Sequence, residues 1–153
     1  MRPARIVSGG QTGVDRGALD AAIAAGVPHG GRCPLGRRAE DGPIPERYQL
    51  VEMPTAEYAA RTLQNVLDTD GTLILRRDAL SGGTLLSRRI ARRHGKPCLV
   101  VTLGRSDALE RIRAWLKEHQ IAILNVAGPR ESENPGIQSE AAELIGALLS
   151  EGR

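Results

Sequence analysis

Two patterns of apolar and polar positions alternate along this chain. Short apolar runs, too brief for helices and rich in branched residues, are typical of β-strands. Between them lie longer stretches in which apolar residues recur at helical spacing. The predicted strands are 6–7, 49–52, 72–75, 98–103 and 121–127. The predicted helices are 18–25, 57–67, 85–94, a helix capped by Ser106 or Asp107 that runs to 118, and 135–149.

This alternation predicts an α/β domain in which helices cover both faces of a mostly parallel sheet. In the second predicted helix, Ala59, Leu63, Val66 and Leu67 recur at helical spacing, which assigns them to the face that packs on the core. A length of 153 residues suffices for one such domain, spanning 1–153.

In a parallel sheet, the loops that leave the carboxyl ends of the strands lie along one edge, where ligands bind. The segments 9–15, 81–84 and 125–132 should therefore come together. Two of them contain adjacent glycines and lead into a helix, whose free N–H groups attract anions. The sequence predicts an anion or nucleotide site at this edge.

The segment 9–13 reads Gly-Gly-Gln-Thr-Gly. Its glycines could let the backbone approach an anion, or could serve only to turn the chain. The pattern is neither the Walker loop nor the usual dinucleotide fingerprint. Thr12 is a candidate N-cap, with Asp15 three residues on, close to a capping box. Asp15 is either a ligand contact or an acid placed for the helix dipole.

The other two segments add candidate ligand contacts. Backbone N–H groups of Gly82, Gly83 and Thr84 could hold a phosphate or another oxyanion. Arg130 could pair bidentately with a phosphate, or could form an ion pair with Glu131 at the surface. Asn125 could read the edge of a base, or could satisfy its own turn.

Residues 28–45 are dense in glycine, proline and arginine, and no regular element is predicted there. Long loops in compact domains are often functional. One interpretation is a lid that brings Arg37, Glu40 and Asp41 onto a ligand. The other is a solvated loop whose charges neutralise one another.

Composition narrows the possible functions. Aromatic residues make up 2% of the chain, which argues against a nucleic-acid surface built on base stacking. The basic stripe within 88–96 is explained more simply as a solvated helix face, and no nucleic-acid partner is expected. The formal charge of +3 suits an anionic ligand without specifying one.

The compartment and the metal content can also be predicted. No apolar run reaches transmembrane length and no signal-peptide core is present, so we expect a cytoplasmic protein. Cys33 and Cys98 lack metal-ligand spacing, so reduced thiols and no structural metal are expected.

Several segments together, in order along nearly the whole chain, resemble the putative molybdenum carrier family. They are 6–16, 36–42, 61–62, 65–66, 70–73 and 125–132. That family belongs to the Rossmann-like superfamily of the LOG-type nucleotide hydrolases and the DNA-processing DprA proteins. The resemblance implies a single-domain Rossmann-like three-layer sandwich.

The resemblance also implies a function. The protein would bind molybdenum cofactor, a molybdopterin with a terminal phosphate, for storage or for delivery to molybdoenzymes, and would form a homo-oligomer (a dimer or a tetramer). The binding residues carried over are Gly9, Gly10, Gln11, Thr12, Gly13, Asp15, Gly82, Gly83, Thr84 and Arg130, with Arg37, Glu40 and Asp41 as weaker candidates.

A nucleotide-processing hydrolase resembling the LOG type, or a nucleotide sensor, is the alternative. The LOG-type motif carries a catalytic glutamate three residues after its threonine, where this chain has Ser87. A hydrolase would need another carboxylate near the anion site, and no spacing singles one out. The candidates are Asp15, Glu40, Asp41 and Glu131. We therefore favour a binding protein and assign no catalytic residue.

Overall fold

The computed structural model describes residues 2–80 and 82–150. Within them the chain forms five helices: α1 (Val14–Ala25), α2 (Tyr58–Leu67), α3 (Gly82–Arg93), α4 (Ala108–Glu118) and α5 (Ile137–Leu149). The strands in the same residues are β1 (Arg5–Val7), β2 (His29–Gly30), β3 (Arg32–Cys33), β4 (Arg38–Ala39), β5 (Gly42–Pro43), β6 (Val51–Glu52), β7 (Gly71–Arg76), β8 (Cys98–Thr102) and β9 (Ile123–Ala127).

The central sheet has five strands in the order β2-β1-β9-β7-β8, and every neighbouring pair is parallel. Asn125 of β9 lies opposite Val7 of β1 on one side and opposite Thr72 of β7 on the other. The carboxyl ends of these three strands therefore share one edge. The predicted Rossmann-like three-layer architecture is confirmed.

The two faces of the sheet differ in chemistry. One face packs with α1, α4 and α5 around an apolar core that includes Leu73, Leu124 and Trp115. Because side chains alternate along a strand, Thr72 and Asn125 point to the opposite face, toward α2 and α3. Buried polar side chains are concentrated there: Arg61, Thr62, Asn65, Thr72, Thr84, Ser87 and Asn125.

The orientation predicted for α2 was wrong. Of the four apolar residues assigned to its core face, only Val66 is buried, and Leu63 and Leu67 are each 37% exposed. The buried side of α2 carries mainly polar residues, because it lines a cleft instead of an apolar core. Its buried residues are Arg61, Thr62, Asn65 and Val66.

The expectation that 28–45 lacks regular structure was also wrong. The segment begins with β2 at the edge of the central sheet. It continues through β3, which pairs in parallel with β6, and through the antiparallel pair β4–β5. We call residues 31–50 the arm. A second apolar cluster joins the arm to α1, and its members are Leu19, Cys33, Ala39, Ile44 and Tyr48.

Arg37 organises the arm from within. The backbone of Arg37 has a φ of 54°, a left-handed conformation that is uncommon for a residue other than glycine. Its guanidinium donates to four backbone carbonyls, at distances of 2.7–3.4 Å: those of Ile44, Pro45, Tyr48 and Leu50. One half-buried guanidinium thereby supplies hydrogen bonds that a longer strand pair would otherwise provide.

None of the helices within residues 2–80 and 82–150 combines the length and the apolar character that a membrane crossing requires.

The arm is also fastened to α1 by an ion pair. Arg16 is almost fully buried, and its guanidinium donates to both carboxylate oxygens of Asp41, at 2.6 and 2.8 Å. This bidentate geometry is the strong form of an arginine–carboxylate contact. The hydrogen bond from Arg16 lowers the pKa of Asp41 below its ordinary value of 3.8. Asp41 therefore links the arm to α1 through its ion pair with Arg16.

Replacing Asp41 with alanine should destabilise the fold, since it leaves the buried Arg16 charge without its carboxylate. Half of the Asp41 side chain is exposed, so solvent screens the pair. We expect a loss of about 1–2 kcal/mol in the free energy of unfolding in urea. Because the pKa of Asp41 is lowered on folding, its contribution is present above pH 4 or so and is lost in stronger acid.

The matched control is Asp107→Ala, which breaks the exposed pair with Arg105 at 3.2 Å. Exposed pairs of this kind contribute little, so no measurable change is expected. Equal stability of the Asp41 and Asp107 variants would show that the arm is not fastened through Arg16.

Candidate functional site

A cleft opens at the shared carboxyl edge of β1, β9 and β7, between that edge and helices α2 and α3. Its volume is about 410 Å³, within the range of about 300–1,000 Å³ that is common for ligand pockets. The lining residues are Gly9, Gln11, Asp15, Tyr58, Ala59, Arg61, Thr62, Asn65, Gly82, Gly83, Thr84, Leu86, Ser87, 125–130 and Glu133.

Arg61 is the principal cation of the cleft. It projects from the inner side of α2 and is 9% exposed. Its Nη1 donates to the carbonyl of Gly9 at 2.8 Å. Its Nε–H is buried and has no hydrogen-bond partner among the residues that the structure describes. A buried donor without a partner is costly, so a site that leaves one open is suited to an acceptor from outside the chain.

Gly9 makes room for this arginine. A Cβ at position 9 would overlap the guanidinium of Arg61 and lie 2.5 Å from its Cζ. A side chain at position 9 would therefore displace the guanidinium that lies across it. This role differs from the close approach to an anion that the sequence suggested.

Asp15 is the carboxylate buried beside this cation. Its Oδ2 accepts the N–H of Gln11 at 3.3 Å and lies 3.8 Å from Nη1 of Arg61. Burial raises the pKa of Asp15 to about 6, against the opposing effects of Arg61, the N–H groups of Gln11 and Gly9, and Arg16. A carboxyl group with a pKa raised toward neutrality in a cleft is typical of functional sites.

One aromatic ring lies among the lining residues. The guanidinium carbons of Arg38, Arg61 and Arg130 lie 5.0, 5.6 and 5.6 Å from the centre of the Tyr58 ring. Such distances fall within the range of cation–π contacts. Tyr58 thus holds one arginine from the arm, one from α2 and one from the loop after β9 around the cleft.

The α3 side of the cleft presents the start of a helix. Gly82, Gly83 and Thr84 line it, and Ser87 donates to the carbonyl of Gly83 at 3.0 Å. N–H groups of a first helical turn lack partners within the helix and favour an anion. Ser81, the first residue of this predicted segment, lies outside the described residues.

The sequence model of the circularly permutated YpsA SLOG family matches residues 6–149. The chain belongs to this family. The fold is also similar to the crystal structure of a putative molybdenum carrier protein from Syntrophus aciditrophicus SB, with a TM-score of 0.93 and 46% sequence identity. The match covers 97% of this chain and 98% of that one. No curated protein matches the chain.

The structure of this SLOG-family protein brings together about half of the predicted site. Gly9, Gln11, Asp15, Gly82, Gly83, Thr84 and Arg130 all line the cleft. Asn125 lines it too, and its Nδ2 donates to Thr72 Oγ1 at 3.2 Å. The other predicted residues do not line the cleft, and they are Gly10, Thr12, Gly13, Arg37, Glu40 and Asp41.

Two of these outlying residues are glycines that let segments of the chain approach one another. Gly10 has a φ of 77°, and a Cβ there would lie 2.5 Å from Cδ1 of Leu50 in the arm. A Cβ at Gly13 would overlap the carbonyl oxygen of Pro129 and lie 2.8 Å from the carbonyl carbon of Arg130. Both glycines act on the cleft indirectly, through the positions of its walls.

Thr12 does not cap α1 as expected, since the N-cap is Gly13 and no side chain caps that end. Its hydroxyl donates to Glu40 instead. Glu40 also accepts the hydroxyl of Ser132 at 2.5 Å and its N–H at 3.3 Å. Burial raises the pKa of Glu40, but the hydrogen bonds from Ser132 and Thr12 outweigh it and lower the pKa below 4.5. We call Thr12, Glu40 and Ser132 the clasp.

Glu131 does not pair with Arg130 in the way that the surface interpretation suggested. Its carboxylate accepts the N–H groups of Gly136 and Gln138, at 2.5 and 3.0 Å, at the start of α5. Glu131 therefore accepts hydrogen bonds at the start of α5 and stabilises that end of the helix. Of the four candidate carboxylates, Asp15 alone is among the residues that line the cleft.

The sequence reasoning did not assign a site role to eight lining residues: Tyr58, Ala59, Arg61, Thr62, Asn65, Leu86, Ser87 and Glu133. A signal for three of them was present in α2, where Arg61, Thr62 and Asn65 share one side of the helix. These polar residues lie on the side of α2 opposite Leu63 and Leu67. Either side of such a helix can be the buried one.

No cluster of three or more histidine, cysteine, aspartate or glutamate residues that could hold a metal occurs in the part of the chain described, 2–80 and 82–150. Cys33 is buried, Cys98 is half-buried, and both are free thiols.

Proposed function

We propose that this chain is a carrier that binds molybdenum cofactor through its phosphate, in the cleft between β1, β9, α2 and α3. The observation that carries the proposal is the buried Nε–H donor of Arg61, which has no partner among residues 2–80 and 82–150. A phosphate oxygen would supply the missing acceptor. The similar protein from Syntrophus aciditrophicus SB, named as a putative molybdenum carrier, supports molybdenum as the cargo.

The donor set of the cleft suits a phosphate better than a bare metal cation. Its charged donors are the guanidiniums of Arg61 and Arg130, with helix-start N–H groups at Gly83 and Thr84. Metal cations are instead bound by clustered carboxylates, imidazoles or thiolates. In this proposal, molybdenum therefore travels as part of a larger ligand, and the protein contacts the organic part.

We further propose that the ring system of the ligand lies near Tyr58 and Arg130, with the phosphate closer to Arg61. Gly9, Gln11, Asp15, Gly82, Gly83 and Thr84 would complete the binding site, while Gly10, Thr12, Gly13, Arg37, Glu40 and Asp41 would shape its walls. A cytoplasmic location, a homo-oligomeric assembly and a molybdoenzyme as acceptor complete the proposal.

The test is an anaerobic incubation of the purified protein with freshly released molybdenum cofactor, followed by gel filtration. The protein fraction is then oxidised and assayed for pterin fluorescence. Parallel runs contain an excess of AMP, of inorganic phosphate or of molybdate. Pterin that co-elutes with the protein in excess AMP, and that only additional cofactor displaces, supports a carrier.

Co-elution abolished by AMP would point to a general nucleotide site. Displacement by molybdate alone would point to an oxyanion site without pterin recognition. Failure of the cofactor to co-elute in any run would overturn the carrier proposal.

A second candidate function, hydrolysis of a nucleotide, is favoured by one observation. Asp15 is a buried carboxyl that lines the cleft, and its pKa is raised to about 6. Such a group could act as a general base at neutral pH. As a base it must be ionised, so kcat/KM should rise with pH through about 6 and then level off.

The assay follows release of ribose 5-phosphate from AMP. If the chain is a hydrolase, Asp15→Asn should lower the rate by about 100-fold or more, as expected for loss of a general base. Glu133→Gln, which neutralises an exposed acid of the same cleft, should leave the rate within threefold or so. Absence of any product from the unaltered protein would exclude this function for AMP.

A further inference from the structure

Two buried groups of opposite charge face each other inside the cleft, and neither is fully satisfied by the other. Nη1 of Arg61 lies 3.8 Å from Oδ2 of Asp15, longer than a hydrogen bond. Only 11% of the Arg61 side chain and 10% of the Asp15 side chain are exposed. Within the described part of the chain, the Nε–H of Arg61 remains without a partner. The arginine therefore has both a resident carboxylate and a free donor.

An oxyanion that accepts this free donor brings a second negative charge close to Asp15. At a separation of about 6 Å and an effective dielectric constant near 20, the repulsion raises the proton affinity of a carboxylate on the order of a hundredfold. The buried position of Asp15 limits screening by salt. Protonation of the carboxylate relieves the repulsion while Arg61 stays with the incoming anion.

We infer that the cleft takes up one proton together with each oxyanion, and that the Asp15 carboxyl receives it. The inference rests on the proposed function, because it requires Arg61 to hold an oxyanion. Its chemical consequence is that the cleft binds the anion and the proton as a pair. The affinity for cargo then depends on pH even when the cargo itself does not titrate.

Besides Arg61, the groups that act on the Asp15 carboxyl come from α1 and from the loop before it. Arg16 contributes from α1, and the backbone N–H groups of Gly9 and Gln11 contribute from the loop. No histidine is among the residues that line the cleft. The remaining titratable side chains that line it are Tyr58 on α2 and Arg130 and Glu133 after β9. With its pKa raised to about 6, Asp15 is mostly ionised in the free protein at pH 7 and can accept nearly a full proton.

Sulfate is the appropriate probe, since it remains a dianion across the neutral range whereas a phosphate would titrate with the protein. Calorimetric titrations near pH 7, in two buffers of different ionisation enthalpy and equal ionic strength, count the protons taken up. We expect about one proton per sulfate. The Kd for sulfate should rise by up to about tenfold per pH unit between roughly pH 6 and pH 8.

Asp15→Asn should bind sulfate with no proton uptake and with a Kd that does not change over this range. Glu133→Gln, the matched change at the rim, should keep the proton uptake of the unaltered protein. The intrinsic fluorescence of the buried Trp115 reports whether each variant is folded. If Asp15→Asn does not fold, the proton count of the unaltered protein decides alone.

The outcomes separate this inference from the function on which it rests. Sulfate binding without proton uptake would overturn the inference and leave the carrier proposal standing. Failure of sulfate to bind between about pH 6 and pH 8 would remove the oxyanion site, and with it both proposals. Proton uptake retained in Asp15→Asn would place the titrating group elsewhere and would also overturn the inference.

Discussion

Replacing Arg61 with methionine is expected to weaken binding of inorganic phosphate by about 10- to 100-fold. A hydrogen bond to a charged group contributes about 1.5–3 kcal/mol, which corresponds to this range. Methionine retains much of the apolar stem but offers neither charge nor donor. It also removes the cation that lies 3.8 Å from Asp15, the carboxyl that faces the incoming anion. Phosphate affinity measured by calorimetry at constant ionic strength tests the expectation.

Arg92→Met is the matched control. Arg92 is an exposed residue of the basic stripe on α3 and does not line the cleft. Arg92 carries the same charge as Arg61, so its replacement tests whether the loss of any one arginine weakens phosphate binding equally. We expect phosphate affinity within threefold or so of the unaltered protein. Equal losses in both variants would mean that phosphate responds to overall charge, and that Arg61 is not its receptor.

Gly13→Ala should produce the largest loss of stability, about 2–4 kcal/mol in the free energy of unfolding. Gly13 has a φ of 83°, which an alanine adopts only with strain. The added Cβ would also overlap the carbonyl oxygen of Pro129, a backbone atom that cannot move as a flexible side chain can. The N–H of Val14 donates to that same oxygen at 3.2 Å, so the contact cannot simply open. Urea unfolding monitored by circular dichroism gives the value.

Gly146→Ala provides the comparison. Gly146 lies inside α5, and a Cβ there would meet nothing within 4 Å. Alanine is favoured over glycine in a helix, so this variant should gain up to about 1 kcal/mol. If Gly13→Ala were as stable as Gly146→Ala, the loop after β9 would not pack against Gly13 as described.

The sheet and the edge on which the cleft lies could be predicted from sequence because both follow from local patterns. The strands β7, β8 and β9 are apolar runs of ordinary length, and each is followed by a segment with helical periodicity. Parallel pairing then places the segments after β1, β7 and β9 at one edge without further information.

The inner side of α2 could not be identified in this way. Helical periodicity shows that two sides of a helix differ, but it does not show which side is buried when the interior is polar. Leu63 and Leu67 satisfied the usual rule, yet Arg61 and Asn65 face inward. The deciding contacts come from Gly9 and Arg32, which are far away in sequence.

The arm was missed because its strands are two residues long, too short for an alternating pattern. Its conformation is set by non-local contacts, among them the guanidinium of Arg37 on the carbonyls of the 44–50 turn. The roles of Gly10 and Gly13 were misassigned for a related reason. A glycine that admits a ligand and a glycine that admits another part of the chain look alike in sequence, since each is defined by a missing Cβ.

The clasp connects three segments that adjoin the cleft. Thr12, Glu40 and Ser132 link the loop of residues 9–13, the arm and the loop after β9 to one another by hydrogen bonds. On the α3 side, a Cβ added at Gly82 or Gly83 would meet no atom of the described residues within 4 Å. The first turn of α3 is therefore the less crowded side of the cleft. If the chain delivers a cargo as proposed, its acceptor would dock on that side, away from the clasp.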